Sequence, residues 1–232
     1  MKKLFCAAAA LFMALTMTSC SAVQVNERMF VQLMGISETD GLYELTVQVY
    51  NSTASEDSDP QYKALSGSGR SISEAADMIM RSSGRQLFFG HCTAIYANES
   101  IIRDSGKLKA LAGERISAGC PVFLTHTPKE AVSAVSADEL SGIVSHYQSE
   151  GLAERADLKT VTAAAKNNTI AIIPMWDDKI CGSAIIMPNS TSELNISETA
   201  ALDLMRSAKG IRLSVLGGSM TLGEAEGSIY YQ

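Results

Sequence analysis

The 232 residues carry 19 Lys and Arg against 25 Asp and Glu, a formal net charge of −6, and 46% of them are hydrophobic. That acidic balance argues against nucleic acid or an anionic bilayer as an electrostatic partner, since both demand clustered basic side chains. The length suffices for one large domain or two small ones with real cores.

At the start of the chain Lys2 and Lys3 precede residues 4–15, a run without a charge or strong polar group. This is the layout of a secretory signal peptide. The run is too short to span a bilayer, which takes about 20 apolar residues. It closes on LTMTSC, where the small residues Thr18 and Ser19 stand directly before Cys20. The stretch resembles a bacterial lipobox, in which the Cys thiol receives a diacylglyceryl group before cleavage makes that Cys the first residue; Met17 stands where the pattern prefers Leu. Two or more acyl chains, palmitate among them, at about 0.8 kcal/mol per buried methylene, hold a domain on a membrane where one does not. Residues 1–19 are thus expected to be removed and Cys20 to be the lipid attachment site; the alternative is a secreted chain with a free Cys20. Loss of Lys2 and Lys3 moves the charge from −6 to −8. No later segment is long and apolar enough to be transmembrane.

Residues 29–36 are apolar at nearly every position and residues 43–49 alternate apolar with polar, with Asp40-Gly41 between them, the pattern of a hairpin whose second strand is half-buried. The acidic stretch 51–60 reads as a solvated loop. GSGR leads as a tight connection into a helix with a Ser71/Glu74 capping box and an apolar face of Ile72, Ala75, Ala76, Ile79 and Met80. Glycines before a helix also allow a phosphate cradle, but no P-loop Lys-Ser/Thr pair follows them. Residues 86–97 read as one strand interrupted at Gly90, residues 98–118 as a helix broken near Gly106, and residues 121–125 as a short buried strand. Thr127 with Glu130, and Ser136 with Glu139, predict two further capping boxes; Leu140, Ile143, Val144 and Tyr147 line the second of these helices. A helix over 157–166, strands over 170–173 and 180–187 around WDDK, and a helix over 197–209 burying Ala201, Leu204, Met205 and Ala208 follow. The order predicts a mixed α/β (α+β) fold, mixed sheets flanked by helices, with a larger first domain over 20–150 and a smaller second one over 151–232.

Chemistry-bearing motifs are sparse. GxSxG, HExxH, P-loop and GxGxxG patterns are absent, so no catalytic residue, cofactor or metal is expected and the chain reads as a non-enzyme. His91, His126 and His146 are acid-base candidates by residue type alone, each better read as a hydrogen-bonded structural His. Cys92, Cys120 and Cys181 lack CxxC or Cys/His metal spacing and read as small buried side chains rather than a disulfide; Cys92 or Cys181 remains a candidate thiol for an enzyme. Asp177 and Asp178 read as a solvated turn rather than a cation site. Asn-x-Ser/Thr sequons at Asn51, Asn98, Asn167, Asn189 and Asn195 matter only in a eukaryotic secretory pathway.

The order of segments is more informative than any one residue. Cys20, then NERMFVQLMGIS and YELTVQVYNS, GSGRSISEAA, QLFFGHCTAIYANESI with its Phe89-Gly90-His91 step, VFLTHTPKEAVSA, IAIIPMW and CGSAIIMPNSTSELNISETAALDLMRSAKG run collinear with a known pattern. The chain resembles the N-terminal region of the spore germination Ger(x)C family, the lipoprotein subunit of nutrient germinant receptors. The resemblance implies a lipid-anchored, non-enzymatic subunit on the extracytoplasmic face of the spore inner membrane. There the subunit acts with two integral membrane receptor subunits to couple nutrient sensing to ion release. Family members continue into a further C-terminal α/β domain, which this chain is expected to lack, and Ser21-Ala22-Val23 replace the aromatic and acidic residues usual after the lipobox. The competing expectation is an extracytoplasmic small-molecule-binding lipoprotein serving a transporter.

Overall fold

Asp40 (φ 53) and Gly41 (φ 78) form the two-residue turn joining β1 (Arg28–Thr39) to β2 (Leu42–Tyr50). Two positive φ values give a turn whose twist matches that of the strands, which is why Asp-Gly suits it. A computed structural model describes residues 27–50, 62–113, 115–150, 155–207, 212–215, 218–221, 223–225 and 228–230. Cys20, the stretch 51–60 and the side chains of Leu204, Met205 and Ala208 lie outside the described residues.

The hairpin is extended by β3 (Tyr62–Gly69), antiparallel to β2. The sequence suggested loop here. The chain is instead a strand through both glycines of GSGR, because α1 (Ile72–Ser83) lies directly on it. A Cβ on Gly67 would stand 2.4 Å from the Ala75 carbonyl oxygen, and one on Gly69 2.7 Å from the Glu74 Cβ. These glycines serve close strand-helix packing. On α1, Ser71 accepts from the Glu74 N–H as expected, but the Glu74 carboxylate returns to the Arg70 N–H at 2.7 Å and not to Ser71.

Residues 86–97 are two strands and not one. β4 (Gln86–Phe88) runs parallel to the first residues of β1 and β5 (Ala94–Ala97) to its second half, with a short 3-10 turn over Phe89–His91 between them. The division coincides with a bulge in β1, where the Gln32 carbonyl accepts from both the N–H (2.8 Å) and the hydroxyl (2.9 Å) of Thr93. Next come α2 (Glu99–Ile102) and α3 (Ser105–Gly113), separated where the Asp104 carboxylate caps the Gly106 N–H at 2.7 Å. Then follow β6 (Val122–Leu124), α4 (Pro128–Ala134), α5 (Ala137–Ser149), α6 (Leu158–Asn167), β7 (Ala171–Asp177), β8 (Lys179–Met187), β9 (Ser190–Asn195) and α7 (Ile196–Ser207). Two short hairpins, β10 (Arg212–Val215) with β11 (Gly218–Thr221) and β12 (Gly223–Ala225) with β13 (Ser228–Tyr230), end the described chain.

The large sheet has the order β3-β2-β1-β5-β6-β7-β8-β9, with β4 beside the start of β1. Its centre, β1-β5-β6-β7, is parallel and its flanks are antiparallel. This is the mixed α/β class that the sequence predicted. The unit expected over 151–232 contributes β7, β8 and β9 to the same sheet as the unit expected over 20–150.

Helices cover both faces. On one, Met34, Leu45, Ile95, Leu124 and Ile173 pack with Ile79 of α1, Leu108 of α3 and Val161 of α6. On the other, Leu33, Tyr96, Phe123 and Trp176 pack with Val132 of α4 and Leu140 of α5. For this reason β2 is not half-buried: Thr46 and Gln48 on its second face are also buried. Gln48 Nε2 donates to the carbonyls of Val132 (2.9 Å) and Val135 (2.8 Å), meeting two acceptors left open at the end of α4. The Thr127 side chain makes no cap bond, so the first predicted box does not form; Ser136 and Glu139 make the second in full. On α7 the expected burial of Ala201 is not seen. Thr199 and Leu202 are buried and Ala201 is exposed, because docking on β8 and β9 sets the helix phase.

Arg103, just after α2, ties the turn between β8 and β9 to the body. Its guanidinium donates to the Met187 carbonyl (2.8 Å), the Thr191 hydroxyl (2.5 Å) and the Glu99 carboxylate (2.5 Å). The Thr191 hydroxyl and then Arg103 hold Glu99 below the usual carboxylate range.

Two predictions follow from these contacts. Gly67→Ala should destabilise by about 1–3 kcal/mol through overpacking, whereas Gly142→Ala, where no atom lies within 4 Å of the added Cβ, should be neutral or stabilising by up to about 1 kcal/mol; urea midpoints measure both. Arg103→Ala should lower the urea midpoint at neutral pH. A depressed carboxyl contributes stability above its unfolded value of ~4.3 and loses it as pH falls through the lower native value, so the deficit of the variant should shrink across that acid window.

Candidate functional site

The three histidines stand apart. The His91 ring meets the Phe30 and Phe88 rings at 5.4 and 5.8 Å. Beyond β6, His126 Nε2 lies 3.1 Å from a Glu193 carboxylate oxygen, with both side chains exposed. His146 is on the outer side of α5 beside Tyr147. Among the described residues none of them is hydrogen-bonded to a nucleophilic side chain. Asp177 and Asp178 are exposed at the tip of the β7–β8 hairpin, Asp178 at φ 57, and no group of three metal-ligating side chains occurs among the described residues.

Cys92 and Cys120 come together ahead of β5 and β6. The Cys120 thiol donates to the Cys92 carbonyl at 3.4 Å and the Cys92 thiol to the Ala94 carbonyl at 3.3 Å, and both residues are buried. All three described cysteines are free. The contact with Cys92 and then burial push the Cys120 thiol up, while burial and then the Asp177 charge push Cys181 up. Both shifts are away from the thiolate that nucleophilic chemistry needs.

A different group of residues converges where β1 and β4 begin. Phe88 is its hub. The Phe30 ring meets it edge-on at 5.6 Å, and the Arg28 guanidinium carbon stands 5.6 Å from its centroid. Gly90 is needed here because a Cβ would lie 2.7 Å from the Phe88 ring. The aromatic-Gly-His step is therefore a packing device that seats Phe88. Beside it opens a cavity of about 290 Å³ lined by Arg28, Gln86, Leu87, Phe88, Phe89 and Arg115, with Gly113. Sequence reasoning missed Arg28, Gln86 and Arg115, which are far apart in the chain and follow no motif. Only Phe89-Gly90-His91 marked the place.

A second buried group lies on the face covered by α4 and α5. Tyr96 and Phe123 stack at 5.4 Å and Trp176 meets both rings edge-on, while the Tyr96 hydroxyl and the Trp176 ring N–H have no hydrogen-bond partner. Burial pushes the Tyr96 hydroxyl well above the usual tyrosine range. Among the described residues no helix is long and apolar enough to cross a membrane.

Residues 21–112, from the residue after Cys20 to α3, match the family model described as the spore germination protein N-terminal domain. No curated protein and no solved structure matches the chain.

The thiol environment has a direct readout. In the folded protein at mildly alkaline pH, iodoacetamide should leave Cys92 and Cys120 unmodified and label Cys181 more slowly than a free thiol, with all three reacting once urea unfolds the chain. Peptide mass mapping checks this, and prompt labelling of Cys120 in the folded state would contradict the buried contact.

Proposed function

We propose, for a chain whose residues 21–112 form a spore germination protein N-terminal domain and which thereby takes a role in germination, that it is a lipid-anchored, non-enzymatic subunit assembling with integral membrane germinant-receptor subunits. The observation that carries the reading is the position of the family match, which starts immediately after Cys20. Residues 1–19 act as the signal peptide and are removed, Cys20 carries the lipid, and the folded domain begins a few residues later on the extracytoplasmic face. The scattered histidines and thiols shifted away from ionisation fit an assembly role better than a catalytic one. The second reading, capture of a small solute for a transporter, draws on the cavity beside Arg28 and Arg115.

Two measurements test the proposal. Detergent-solubilised spore membranes should yield the protein together with polytopic germinant-receptor subunits; recovery with transporter subunits, or from vegetative membranes alone, would overturn the assembly role. Cys20→Ala should remove the acyl mass from the protein and shift it from the membrane fraction, without changing its melting temperature, since residue 20 precedes β1. Recovery of that variant in an undiminished membrane fraction would count against lipid as the tether.

A further inference from the structure

We infer that the cavity beside β4 is a phosphate-binding site. Its lining supplies two guanidinium groups, Arg28 and Arg115, and one carboxamide, Gln86. Guanidinium is the side chain best matched to phosphate, because its planar fork presents paired N–H donors to two oxygens. Among the described residues that line the cavity none is acidic. In a chain of net charge −6 the concavity is thus a local reversal of sign. Leu87, Phe88 and Phe89 complete its wall.

Arg28 is also restrained by packing. The Arg28 guanidinium is 5.6 Å from the Phe88 centroid, a cation–π distance, and Phe88 is itself held by Phe30 and by the missing side chain at Gly90. Arg115 sits at φ 65, in the left-handed region that long side chains seldom adopt. Backbone strain of this kind clusters at active sites and ligand clamps. Two like charges lining one cavity repel each other, and an anion between them removes that penalty. A volume of about 290 Å³ admits a phosphate with a small organic substituent such as glycerol.

The position of the cavity suggests where the phosphate comes from. Arg28 opens β1 eight residues after Cys20, so the intervening chain reaches at most about 28 Å. With Cys20 lipidated, the cavity stays within reach of phospholipid headgroups, and glycerol phosphate is the chemistry shared by an anionic headgroup and a free phosphate ester. The choice of source rests on the lipid-anchor reading; the site itself does not.

The experiment is calorimetric titration of the purified full chain, in detergent, with glycerol phosphate, with succinate, and with mixed micelles of phosphatidylglycerol or phosphatidylcholine. Saturable binding of glycerol phosphate, of phosphatidylglycerol micelles, or of both is expected. Binding of the micelles alone assigns the headgroup as source, and binding of the free ester assigns a soluble one. The double variant Arg28→Gln, Arg115→Gln should lose about tenfold or more in affinity, as expected for two lost charge-assisted contacts. Arg70→Gln with Arg81→Gln, an equal change in net charge on and beside α1, should bind as wild type. Urea midpoints verify that each variant is folded, and if the double variant does not fold, Arg115→Lys supplies the test: it keeps the charge, removes the fork and should weaken binding several-fold. Equal binding by wild type and the Arg115 variants, equal binding of succinate, or no binding of either phosphate source would overturn the inference. Acyl mass on Cys20 is read separately, so failure of the anchor and failure of the site give different results.

Discussion

The fold depends on β1. This strand is hydrogen-bonded along both edges, antiparallel to β2 and parallel first to β4 and then to β5. Its side chains are divided between the two cores, with Met34 and Ile36 on one face and Leu33 on the other. Such a strand has no water-facing side on which an error of register is tolerated, because a slip of one residue exchanges the two faces. The Asp40-Gly41 turn fixes its register with β2, and the bulge at Gln32 lets it change partner from β4 to β5.

The consequences of that strand reach the candidate site. Because β4 pairs with the first residues of β1, Arg28 and Phe88 are brought to one place, and the turn over Phe89–His91 returns the chain to β5. The aromatic-Gly-His step therefore does structural work with a chemical result: it fixes the ring against which Arg28 lies. Gly35 does similar work on the other face, where a Cβ would meet the Pro128 carbonyl at 2.3 Å and push α4 from the sheet. At Gly35, Gly67 and Gly69 the close approach of helix to strand is set by residues without side chains.

The residues that match the spore germination protein N-terminal domain thus open a two-sided α/β layer, and the first described strand begins beside a concavity lined by two arginines. Arg28, at the start of β1, and Arg115, after α3, line one cavity. The Tyr96, Phe123 and Trp176 rings lie on the face covered by α4 and α5, where their area supports the packing although two of their polar atoms are unpaired, a cost borne by the apolar burial around them.

Much of this was legible from the residues alone. Alternation and turn chemistry gave the β1–β2 hairpin, the periodicity gave the buried face of α1, Ser136 with Glu139 gave the cap of α5, and the collinear segments pointed to the germination domain matched over residues 21–112 before any fold was known. These features are local, so neighbours in sequence suffice to specify them. What the sequence did not disclose depends on partners distant in the chain. YKALSGSG is a strand because β2 and α1 receive it; Gln48 is buried because two carbonyls of α4 await it; residues 86–97 divide because β1 bulges opposite Thr93. The cavity belongs to the same class, since no local pattern joins Arg28 on β1, Gln86 and Phe88 on β4 and Arg115 after α3. Sequence by itself determined the local elements and the resemblance to a germination family; tertiary structure alone decided which faces are covered and which residues line the cavity, because burial and convergence are properties of the whole sheet and not of any segment.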